Sequence, residues 1–259
     1  MSSPSASSQQ HIAASGGLAL GPWSGLALGL LVGLIAWSTI QAVHPVFRVD
    51  KKYDVPSIGM PPELYAAYRR QQDFVDRKHA MLYLGGLGLL VAAALGIRER
   101  ALRRSLLPPL VAPPFGAIGG AVGGFLACLV YEYVHAQIGQ AQLSHTIGAQ
   151  LALAAPLGLG IGLGLGLATR TLAGAGKAAL AGLAAGILAG VIFPVAMSIL
   201  IPTAESDDLM PDEGTSRLLW LAILAGTMGL VIPIAGRQAV KSQITSTKSQ
   251  TNSKGQILK

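Results

Sequence analysis

The chain has 259 residues, 51% of them hydrophobic and only 12% charged, where soluble domains carry about 25% charged residues; an ordinary soluble globular domain is excluded. The net charge of +7 does not gather into the patch that nucleic-acid binding requires. It is spread over loops beside apolar runs, where Lys and Arg write membrane topology, and the single cysteine, Cys128, rules out an intramolecular disulfide.

Residues 1–16 are Ser-rich and lack an apolar core, which predicts a disordered tail. No Lys or Arg precedes Arg48, so the basic n-region of a signal peptide is missing and the first apolar run reads as a retained helix. That run covers 22–43, with Gly25, Gly29 and Gly33 recurring every fourth residue. The one sizeable loop follows, 46–78. Pro61 and Pro62 open a helix in it, on which Tyr65, Tyr68 and Val75 share a face. Tyrosines favour the headgroup layer, so this segment is expected to lie along the membrane.

The second apolar run is 79–97 and the third 115–136, the latter carrying Gly120 and Gly124. The fourth, 146–168, holds no charge, and from Leu157 to Leu167 every second residue is glycine. Alternation by twos ordinarily signals a strand, but a lone strand cannot satisfy its backbone in lipid. Read as a helix, the run shows Gly158, Gly162 and Gly166 as one bare stripe, and Gly160 with Gly164 as another on the opposite side. Two neighbours can then approach closely, which makes this helix the expected centre of a bundle. The fifth run, 178–201, carries Gly182, Gly186 and Gly190 ahead of Pro194; the sixth is 218–235. The tail 238–259 is basic, rich in Ser, Thr and Gln, and reads as disordered. A weak echo, Gly96-Ile97-x-x-Arg100 and Gly166-Leu167-x-x-Arg170, hints at a duplicated two-helix unit.

These runs predict an all-α, polytopic membrane helix bundle over 17–237, with six transmembrane helices and glycine-zipper packing. Six passes put both termini on one face, which carries eleven Lys and Arg against eight on the other; the short loop Arg98–Arg104, abutting two helices, decides for a cytoplasmic location of both termini. The expected setting is a cell or inner membrane. The expected partners are the lipid bilayer and, through the glycine stripes, further copies of the chain, with no nucleic acid and no cofactor.

Within the spans the one acidic residue is Glu132, in Tyr131-Glu132-Tyr133-Val134-His135, and positions three apart share a helix face. Glu132 lies about 9 Å from the midpoint of its helix, at about 1.5 Å per residue. His145 opens the next helix at the same depth, as do His79 and His44 beside the 46–78 loop. Neutral imidazole binds transition metals and a histidine beside a carboxylate titrates near neutral pH. Glu132, His135, His145 and His79 therefore form a candidate ion or proton site at the non-cytoplasmic face, its metal left open.

Enzyme readings find little. A rhomboid-like protease needs a Ser in its fourth helix and a His in its sixth, and neither is present in these runs. No His-Glu-x-x-His zinc motif or phosphate-binding Gly-x-x-x-x-Gly-Lys loop occurs. The Leu157–Leu167 alternation resembles the inner helix of the rotary ATP synthase c subunit; that resemblance implies an ion-binding carboxylate in the following helix, and 178–201 has none. The expectation is a non-enzymatic membrane protein with a structural or partner-binding role; the alternative is a small-solute, proton or metal-ion transporter built on the Glu/His cluster.

Overall fold

The computed structural model describes residues 21–50, 61–103, 105–138, 143–200, 210–211 and 213–257; the expected N-terminal tail lies outside them. The described residues form α1 (Pro22–Val43), α2 (Pro62–Arg103), α3 (Leu107–Ile138), α4 (Leu143–Leu167), α5 (Leu172–Leu200) and α6 (Gly214–Ile257). Among the described residues, six helices are long and apolar enough to cross a membrane, an architecture compatible with a membrane helix bundle.

Three elements depart from the sequence expectation. The loop helix is not separate: it runs on into the second span as the 42-residue α2. Neither Gly nor Pro occurs between Glu63 and Leu84, so nothing interrupts the i→i−4 ladder. At about 1.5 Å per residue, α2 is roughly twice as long as a hydrocarbon core is thick, which leaves turns 62–78 as an extension of the apolar part. The helix α3 begins at Leu107, eight residues before the expected start, with Pro108 and Pro109 in its first turn, where a missing N–H costs nothing. The tail read as disordered continues α6 to Ile257; no Gly or Pro stands between Gly236 and Gly255 to stop it.

Each helix packs on the next in the chain, and α6 returns to α1 to close the ring. Across the ring, α2, α4 and α6 also touch one another, while among the described residues the odd-numbered helices do not. Burial follows this division. The apolar windows of α2, α4 and α6 are 50, 56 and 50% buried, against 28, 39 and 39% for α1, α3 and α5. Apart from Pro194 of α5, the large fully buried side chains of the described residues sit on the same three inner helices, among them Leu84, Leu87 and Val91; Leu153, Leu157 and Ile161; Leu221, Leu224 and Met228. Spacings of three and four place each set on one face, so bulky residues fill the centre while the outer helices lean on the inner ones.

At these inner–outer contacts the glycines stand. A Cβ added at Gly158 would strike the Gly182 carbonyl oxygen, and one at Gly182 the Gly158 carbonyl. Gly162 faces Ala178 and Gly166 faces Ala175, both on α5, while Gly160 and Gly164 face Phe115, Gly119 and Ala112 on α3. The two bare sides of α4 thus meet two different neighbours. Gly186 and Gly190 of α5 face Ala154 and Gln150; Gly120 and Gly124 of α3 face Leu84 and Ala80; Gly25, Gly29 and Gly33 of α1 face Gly229, Ala225 and Leu221. The echoed Gly96 and Gly166 lie against Pro108 and Ala175, where the α2–α3 and α4–α5 hairpins close.

Candidate functional site

One end of the bundle gathers the C-terminus of α1, the N-terminal half of α2, the last turns of α3 and the start of α6. The unbroken α2 matters here: Gln72, Val75, Asp76, His79 and Tyr83 recur at three- and four-residue spacing on one face, and all five line a cavity of about 590 Å³. Cys128, Tyr131 and Glu132 of α3 and Arg217 and Trp220 of α6 close its other walls, and the extended segment after α1 contributes Pro45, Phe47, Arg48 and Val49. Pro45, Arg48 and Asp76 are exposed at the rim, whereas Val75, His79 and Trp220 are buried.

His79, 3% exposed, accepts a hydrogen bond from the Phe47 backbone N–H at Nε2, 2.9 Å. Its ring stacks on Tyr83 at 5.4 Å between centroids and packs against His44 at 5.3 Å and Phe47 at 5.2 Å. His44 Nδ1 lies 2.9 Å from the Tyr83 hydroxyl, so the two share a hydrogen bond. Glu132 is held by Arg77, whose terminal NH2 nitrogen donates to both carboxylate oxygens at 2.6 and 2.8 Å; the guanidinium also lies 5.5 Å from the Phe125 ring centroid. Behind the cavity, the Trp220 indole N–H donates to Gln150 Oε1 at 3.1 Å, joining α6 to α4 with both residues 1% exposed.

Of the four candidate residues, Glu132 and His79 line the cavity together. His145 is half-buried at the start of α4 and is not part of the lining. His135 lies on the last turns of α3 and its side chain falls outside the described ones. Among the described residues no three His, Cys, Asp or Glu side chains are placed to hold a metal ion. His44, expected at this level, does join the lining. Between the fifth and sixth runs the sequence carries the acidic residues Glu205, Asp207, Asp208 and Asp212, which lie outside the described residues.

Sequence reasoning missed Arg77, Tyr83, Arg217, Trp220 and Gln150. Arg77 falls in the 46–78 stretch that reads as a loop; the absence of Gly and Pro from Glu63 to Leu84 is the signal that places it on a helix beside the third span. No comparable signal marks Gln150 or Trp220, because only packing brings α4 and α6 together. Replacing Gln150 by Leu strands the buried indole N–H, and we expect a loss of about 1–3 kcal/mol. In Gln150→Leu/Trp220→Phe, part of that loss returns. Thermal unfolding of the four proteins in detergent checks it, and strict additivity would refute the pairing.

Among the described residues, six apolar helices around an inner triangle, with a cavity at one end, are compatible with a polytopic membrane helix bundle. No family model, curated protein or solved structure matches this chain.

Proposed function

We propose that the chain is a non-enzymatic integral membrane protein, held by glycine-zipper packing, that binds a small polar solute in the cavity at one end of the bundle. The cavity carries this reading. Its size falls within the roughly 300–1,000 Å³ of small-molecule sites, and it presents hydrogen-bonding and charged groups beside the Tyr68, Tyr83 and Trp220 rings. A purely structural or partner-binding role gives such a cavity nothing to do. A proton or cation site centred on Glu132 is less well supported, since Arg77 already occupies both carboxylate oxygens.

Zipper packing is supported by the ladder glycines, whose missing side chains leave room for a neighbouring backbone. Those stripes face helices of the same chain, so the reading does not call on them for a homo-oligomer. With both termini cytoplasmic, the cavity opens on the opposite, non-cytoplasmic side.

The test is thermal unfolding of the detergent-purified protein against amino acids, small amines, carboxylates and neutral amides. A ligand at about 100 times its Kd stabilises by roughly 2.7 kcal/mol, and we expect at least one class to raise Tm accordingly. Gln72→Trp, which fills the cavity from α2, should abolish that rise. A flat response across the panel, or a rise that survives Gln72→Trp, refutes the reading.

A further inference from the structure

The segment 44–50 crosses from the end of α1 to the face of α2 and supplies one wall of the cavity. It is tied to α2 by the His44–Tyr83 hydrogen bond, by a backbone hydrogen bond between Val46 and the Tyr83 hydroxyl, and by the hydrogen bond from Phe47 N–H to His79 Nε2; only the last of these has an imidazole nitrogen as its obligatory acceptor. A backbone N–H can only donate, so Nε2 is the acceptor and carries no proton; His79 is the neutral imidazole with its hydrogen on Nδ1. An imidazolium has a proton on both nitrogens and no lone pair to offer. Adding one proton to His79 therefore turns that last tie into two N–H groups pointing at each other. The Phe47 ring, 5.2 Å from His79 and 5.5 Å from Lys78 Nζ, moves with the backbone it hangs from.

We propose that residues 44–50 form an acid-released strap over the cavity, with His79 as the group that senses the proton. The titratable and charged groups that line the cavity with it are His44 and Arg48 from the strap, Tyr68, Asp73, Asp76 and Tyr83 on α2, Cys128, Tyr131 and Glu132 on α3, and Arg217 on α6. Glu132 is engaged by Arg77, and Arg217 Nε donates to the Pro211 carbonyl at 3.0 Å. His44 contacts Tyr83 through a hydroxyl that can donate or accept, so that contact survives a change of protonation by rotating its hydrogen. The Phe47–His79 bond has no such freedom. In acid the strap lifts, and the buried Trp220 side of the cavity opens to water. This inference concerns access to the cavity and stands whether or not a solute binds there.

The test reads Trp220 directly. In a Trp23→Phe/Trp37→Phe background of unchanged helical circular dichroism, quenching of Trp220 by acrylamide, which is neutral at all pH values used, is followed in detergent. We expect the quenching constant to rise about twofold between about pH 8 and about pH 4, as the imidazole takes up its second proton. In His79→Gln the amide oxygen still accepts from Phe47 but does not titrate, so quenching should stay low throughout. In His79→Leu the Phe47–His79 tie is gone and quenching should be high at both ends. A parent protein that shows no acid response overturns the proposal, as does a response that persists in His79→Gln, which moves the sensor to another group. If His79→Leu does not fold, the parent and His79→Gln decide the matter by themselves.

Discussion

Gly162→Leu is expected to destroy the folded bundle. A Cβ at this position already strikes the Ala178 carbonyl oxygen, with the Ala178 carbonyl carbon at 3.0 Å and the Gly182 Cα at 3.1 Å. The obstructing atoms are backbone on a facing helix, so no rotamer change relieves the clash. Overpacking ordinarily costs about 1–3 kcal/mol; Gly162→Ala should fall there, and Leu beyond it, because its larger side chain must displace the same facing backbone. The loss comes from steric exclusion, since glycine contributes no bonding group. Gly86 is the control: nothing lies within 4 Å of its added Cβ, and Gly86→Ala should change stability by no more than about 0.5 kcal/mol. Size-exclusion profiles and thermal unfolding in detergent distinguish the three. A monodisperse, thermally unaltered Gly162→Leu protein would mean that α4 and α5 do not lie where the structure puts them.

The second large effect is expected at Arg77 and Glu132. Their side chains are 28% and 32% exposed, between a surface pair, worth about 0–1 kcal/mol, and a buried one, where removing one partner costs about 3–5 kcal/mol. Each of Arg77→Met and Glu132→Gln should therefore lose about 1–3 kcal/mol, because each leaves its partner's charge unpaired. The double variant should lose less than the sum, since the stranded partner is gone. Glu132→Gln separates structure from transport. If Glu132 only ties α2 to α3, proton and cation flux in proteoliposomes stays unchanged while Tm falls. A flux that collapses at unaltered Tm would return Glu132 to the role of an ion site and set aside the tie.

The comparison of sequence and structure turns on what a residue's neighbours in the chain can report. The six apolar runs were legible because burial in hydrocarbon demands a minimum length and forbids charge, both properties of a contiguous segment. The two bare sides of the fourth helix were legible for a similar reason: 3.6 residues per turn fixes which glycines align. The long α2 was within reach, since the missing breakers between Glu63 and Leu84 are visible in the sequence, but tyrosines and charges on that stretch suggested a surface element. His79 and Glu132 could be placed at one depth by counting residues. Counting could not say that Arg77 would take Glu132, or that His79 would accept from a backbone N–H 32 residues earlier.

By itself, then, the sequence determined the solvent of most side chains, the helical state of the backbone and which faces carry no bulk, all consequences of local periodicity and length. The tertiary structure decided which helices stand inside, that Leu157 and Leu224 share one core while Gly158 meets Gly182, and that a cavity forms where α1, α2, α3 and α6 converge. Those outcomes depend on how side chains far apart in the chain fit together, and no single segment contains that information.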